Sequence, residues 1–182
     1  MEYIDFSHEF VKEWYERAEE VDETKFLTKF FCYYIAFNHI FYTYAFEKGL
    51  LKTERGGTRK GERDMIKGLL EDLTGESGHE SFKGYDPYSL IKHSELLKHV
   101  ESERVKKKKR PNNHTKDKRT KGSIYQQRLN EKDIPQLFNE IYNIRCNLFH
   151  GSKSMKNSRN EGLVKDSNTV LRDFLQRLAG LY

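Results

Sequence analysis

Only two of the 182 residues are cysteines, Cys32 and Cys146. Two cannot build a disulfide framework, and neither a CxxC pair nor a Cys/His cluster at zinc spacing is present. No metal and no cofactor is therefore expected. Prolines number three, at positions 87, 111 and 135, so few segments are barred from helix. A membrane-spanning helix wants about 20 apolar residues, and no run reaches that. The most apolar stretch, Phe30–Phe46, is broken by Asn38, His39 and Thr43. It reads as a buried helix of a soluble, cytoplasmic protein with no membrane partner. The opening MEYIDFSHEF lacks a basic segment followed by an apolar one, so no secretory leader is expected. Gly56-Gly57 has no lysine-serine or lysine-threonine context, which excludes a GxxxxGK phosphate loop. Strand-type alternation and internal repeats are also missing.

What is present is helical periodicity. A first helix is predicted from about Phe6 to Glu20. A second is capped by Asp22 and runs to Lys48, with Gly49 as its stop. Ten residues between Phe26 and Phe46 are aromatic, so this second helix has no polar face and must be the central rod of a bundle. A basic turn, Arg55–Gly61, leads to a third helix over Glu62–Leu73. Asp86-Pro87 should start a fourth, through about Val100. Asp133 caps a fifth, Ile134–Phe149, which Gly151 stops. A last helix carries Leu163, Val164, Val170, Leu171, Phe174, Leu175 and Leu178. The expected fold is all-α: one domain over residues 1–182, an up-and-down bundle of five to six helices. It carries a basic flexible insert at about 101–130.

The formal charge is +5 and the pI about 9.0, but the excess is local. Residues 105–128 hold ten Lys or Arg, one Asp and almost nothing apolar. Such a run cannot bury enough surface to order itself. Lys106, Lys107, Lys108, Lys109 and Arg110 are candidate RNA contacts, since phosphate contacts by Lys and Arg supply most sequence-independent affinity; a merely solvated loop fits the same composition. Lys153, after the fifth helix, would add positive potential.

In the fifth helix, Ile134, Leu137, Phe138, Ile141, Ile144 and Leu148 form an apolar stripe, and Arg145 falls near its middle. An arginine aimed at a core is costly without a partner. A carboxylate of another helix or a dimer seam would also satisfy it. His150 follows by five positions; on a straight helix the two side chains diverge by about 140°. They meet only if the helix ends near His150 or if a second copy of the chain intervenes. A histidine near a helix C-terminus also serves simply to complement the dipole. Asn38 lies on a stripe with Phe31, Tyr34, Phe41 and Tyr42; a polar amide there must find hydrogen bonds, to the Arg145 helix or as a plain structural bridge.

The segment Asn143-Ile-Arg145-Cys-Asn147-Leu-Phe-His150-Gly151 resembles the signature of the HEPN superfamily (higher eukaryotes and prokaryotes nucleotide-binding): an arginine, four to six residues, then a histidine near the end of a late bundle helix. Tyr33-Tyr-Ile-Ala-Phe-Asn38-His-Ile-Phe41 resembles the helix that packs under this motif in some prokaryotic members. Many active members carry Asn, Asp or His directly after the arginine; here Cys146 stands there and Asn147 comes one position later. The variant with a modifiable tyrosine just after the histidine is not matched, because Gly151, Ser152 and Lys153 follow.

The resemblance implies a metal-independent endoribonuclease of the toxin or anti-phage defence kind, with RNA as substrate. It implies a homodimer with a composite active site, and a possible antitoxin or regulatory partner. The expected site is Arg145, His150 and Asn147, supported by Asn38. His150 would act as general base or acid and Arg145 would hold the phosphate. The expected products carry 2′,3′-cyclic phosphate and 5′-hydroxyl ends. Two other readings remain open: a non-catalytic RNA- or nucleotide-binding bundle, and a helical interaction module.

Overall fold

The computed structural model describes residues 8–51, 61–75, 78–92, 94–109, 133–150 and 158–179. They form six α-helices and no strands. These are α1 (His8–Glu20), α2 (Phe26–Glu47), α3 (Glu62–Thr74), α4 (Glu95–Lys109), α5 (Ile134–Phe149) and α6 (Ser158–Ala179). Three short 3-10 turns intervene at Glu23–Lys25, Glu80–Phe82 and Pro87–Ile91. The arrangement is an all-α helical bundle. Among the described residues no helix is long and apolar enough to cross a membrane.

Helix α2 is the central rod its composition demands. It packs against α1, α3 and α6, and Phe30, Phe37, Ile40, Phe41 and Ala45 are wholly buried. Phe37 is the hub of the core. Its ring lies 5.3 Å from that of Phe138 on α5 and 5.4 Å from that of Phe174 on α6. Phe174 in turn meets Phe82 at 5.1 Å, which ties the loop after α3 to the same cluster. Edge-to-face and tilted packing of this kind adds to the burial of large apolar area.

The stop and start signals act locally. Asp22 Oδ1 accepts from the Thr24 amide at 2.8 Å. What it caps is the 3-10 turn at Glu23–Lys25, and the α-helix proper begins three residues later than expected. At the other end Gly49 takes φ of 67°, and the Leu50 amide reaches back to Ala45 O at 2.8 Å. A side chain at Gly49 would oppose that left-handed turn. Asp133 accepts from the Gln136 amide at 3.1 Å and opens α5 where expected.

Two expectations need correction. Asp86-Pro87 does not start one long helix. Asp86 Oδ1 holds the Tyr88 amide at 3.2 Å over a 3-10 turn, and Ser94 Oγ then caps α4 by accepting from the Leu97 amide at 3.1 Å. Two N-caps a few residues apart divide the segment. Nor does α4 stop near Val100; it continues to Lys109. Glu, Arg and Lys are good helix formers, and a helix already nucleated by packing extends through them at small cost. The backbone of Lys106, Lys107, Lys108 and Lys109 therefore belongs to α4. The rest of the basic insert, Arg110 included, lies outside the described residues, as do Phe6, Gly151 and Lys153.

Candidate active site at the end of helix α5

Helix α5 buries Leu137, Phe138, Ile141 and Ile144 against the core, and Arg145 follows on the edge of that stripe, half-buried. Its guanidinium carbon lies 4.5 Å from the centre of the Phe149 ring and 5.5 Å from that of Tyr34 on α2. Nη1 donates to Cys146 Sγ at 3.9 Å. Nε is buried with no hydrogen-bond partner. Among the described residues no carboxylate forms an ion pair with Arg145. The cation is thus seated on aromatic faces, which attract it without discharging it. Burial works against its charge. The Cys146 thiol, Tyr34 and Glu62 outweigh that and raise its pKa further, so it stays a cation at any working pH.

Tyr34, which the sequence reading named only as a stripe neighbour of Asn38, is the residue of α2 that meets Arg145. It is 3% exposed, and its hydroxyl is buried with no hydrogen-bond partner. Burial pushes its phenol well above the ordinary value, so the hydroxyl keeps its proton. Tyr142, one turn before Cys146, is also pushed upward: by burial, then by hydrogen bonds with Cys146 and Glu62. Glu62, from the first turn of α3, also accepts from the Tyr42 hydroxyl at 2.8 Å. Cys146 therefore lies between Arg145 and Tyr142 and belongs to the arginine's surroundings. Asn147 is half-buried and leaves the helix about 200° round from Arg145, on its opposite side.

His150 is the first residue past α5. Its amide donates to Cys146 O at 3.0 Å, closing the last turn, and the residue is exposed. The helix ends there, which is one of the two arrangements the spacing left open. Within one chain, however, the histidine and arginine side chains do not meet: Arg145 turns onto Phe149 instead. Phe149 itself is 61% exposed, and its ring packs edge-to-face with Phe31 of α2 at 5.1 Å. Asn38 is half-buried on α2 and makes no hydrogen bond to Arg145; Tyr34, one turn earlier, is what α2 contributes.

A second polar group on α5 escaped the sequence reading. Glu140 is 3% exposed. It accepts from Asn143 Nδ2 at 2.9 Å and lies 3.5 Å from His99 Nε2 of α4. Asn143 Oδ1 accepts in turn from Arg63 Nη2 at 2.7 Å. Glu140 stands four residues before Ile144, on the same side of the helix, so helical spacing did mark it as inward-facing.

No protein-family model matches the chain, and no curated protein and no solved structure matches it either.

Proposed function

We propose that the chain is a metal-independent endoribonuclease whose site is built around Arg145 and His150. The observation that carries this reading is the setting of Arg145. It is a half-buried guanidinium with a free Nε, seated on the rings of Tyr34 and Phe149 and unpaired with any described carboxylate. It stands five positions before an exposed histidine at a helix end. A cation kept charged and unneutralised suits an anion that arrives from outside.

RNA brings its own nucleophile. One His150 imidazole takes the proton of a ribose 2′-hydroxyl. The 2′-oxygen then bonds to phosphorus and the bond to the 5′-oxygen breaks. A second imidazole, protonated, gives its proton to that leaving oxygen, and Arg145 holds the non-bridging oxygens as charge accumulates. The products are a 2′,3′-cyclic phosphate and a 5′-hydroxyl. Because Arg145 makes its contacts with Tyr34, Cys146 and Phe149 and none with His150 within one chain, a second copy would complete the site. The exposed Phe149, between them in sequence, is the apolar surface such a homodimer would cover. The resemblance to HEPN nucleases agrees with a composite site, and with roles in toxin or defence systems that call for an antitoxin or regulatory partner. Lys106 to Arg110 and Lys153 would add sequence-independent affinity for RNA.

A second reading, a non-catalytic RNA-binding bundle, is favoured by Cys146 and Asn147. The thiol occupies Nη1 of Arg145, and the amide that could serve as a third polar group faces the other way.

The test is RNA cleavage by the purified protein in excess EDTA, beside Arg145→Ala and His150→Ala. The expected result is cleavage with cyclic-phosphate ends that falls by at least about 10²-fold in each variant. Equal cleavage by parent and His150→Ala would sink the mechanism. RNA binding without cleavage would select the second reading.

A further inference from the structure

About a quarter-turn round α2 from Tyr34, and lined there by Phe26, Lys29 and Tyr33, a cleft of about 340 Å³ opens between α2 and α6. Lys29 and Asn168 form its floor: they are 7% exposed each. Phe26 forms a wall, and Lys165 and Arg172 of α6 stand at the rim. Two features of the floor are unfinished. The buried Lys29 ammonium is paired with Glu23, whose own side chain is 86% exposed on the 3-10 turn at the mouth. A carboxylate that remains hydrated compensates poorly for the desolvation of a buried ammonium. Asn168 is pinned by its Nδ2, which donates to Phe26 O at 2.9 Å, and its buried Oδ1 has no donor. The rim cations have acidic partners but stay open to solvent. Lys165 pairs with Glu161 and Arg172 with Glu19, and both cations are about half exposed.

We propose that this cleft binds a small phosphomonoester bearing a hydroxyl donor. Its phosphate displaces Glu23 from Lys29 and draws in Lys165 or Arg172, and its hydroxyl donates to Asn168 Oδ1 once the amide turns toward the cleft, since that atom is closed to solvent without ligand. A phosphate dianion suits one buried cation and a second at the rim better than a carboxylate does, and the volume lies at the small end of ligand pockets. The site is independent of Arg145 and of the nuclease reading. Glu23 is then a resident competitor, an internal anion that covers the ammonium when no ligand is bound.

Titration calorimetry on the full chain, with inorganic phosphate and with glycerol 3-phosphate, tests this. The expected result is saturable binding of both, with the ester tighter. Lys29→Met should weaken it by about tenfold or more, and Glu23→Gln should tighten it severalfold. Glu23 is exposed, so Glu23→Gln folds even if the buried Lys29→Met variant does not. Lack of saturable binding by the parent and Glu23→Gln overturns the proposal, as does binding that Glu23→Gln leaves unchanged or weakens. Equal affinity for the two probes overturns the ester and its hydroxyl contact.

Discussion

The two sides of α2 treat positive charge in opposite ways. On one, Arg145 rests on Tyr34 and Phe149, and no described carboxylate pairs with it. On the other, each cation has its own acid: Lys29 with Glu23, Lys165 with Glu161, Arg172 with Glu19. The two half-exposed pairs, of Lys165 and Arg172, contribute little, whereas the Lys29–Glu23 pair has one buried end. A half-buried guanidinium left unpaired forgoes a partner's attraction, and the fold supports it with ring faces and a thiol instead. The contrast separates cations that each have an acid from one that has only ring faces and a thiol.

The largest expected effect concerns what both sides share. Phe37 packs against Phe138 and Phe174 beneath the whole bundle. Phe37→Ala should destabilise the protein by about 3–5 kcal/mol in chemical denaturation. A loss well under that would mean the two sides stand on separate supports. Next is Arg145→Lys, which keeps the charge but loses the planar fork and the stacking. RNA cleavage in EDTA should fall by about 10²-fold, while stability should fall by only about 0.5–1 kcal/mol. If cleavage survived the change, point charge alone would suffice and the aromatic seat would be incidental.

Smaller still is Glu19→Gln on the paired side. Glu19 accepts from Arg172 at 2.6 Å and also from the Tyr33 hydroxyl. The cost should be about 1 kcal/mol or less by thermal unfolding, because the arginine is half exposed. A much larger cost would erase the distinction between the two sides. The smallest effect is a control on α2 itself. His39 packs on Phe10 at 4.5 Å, and burial lowers its pKa. Its folded pKa lies below its unfolded value, so protonation favours the unfolded chain, and stability drops as pH falls below about 6.5. In His39→Phe the difference in melting temperature between pH 7 and pH 5 should narrow. An unchanged difference would assign the acid sensitivity to other groups.

Much of this architecture was legible in the residues themselves. Helical period, aromatic density and the punctuation at Asp22, Gly49 and Asp133 act over one or two turns, and such local signals survive in any surroundings. They placed α2 at the centre and His150 at a helix end; Arg145, expected near the middle of the apolar stripe, lies half-buried at its edge. Local signals also misled: Asp86 and Ser94 both offer N-caps, and the division of that segment between a 3-10 turn and α4 followed from where Ile91 and Leu96 found the core. Only tertiary structure decided that Arg145 would meet Tyr34 and Phe149 and no described carboxylate, that its Nη1 would donate to Cys146, and that Asn38 would make no bond to it. The same holds for the cleft, where Lys29 and Asn168 lie 139 positions apart, by subtraction of their residue numbers. The reason is physical. Periodicity states which way a side chain points on its own helix, whereas its partners depend on how ridges of different helices interlock around a shared core.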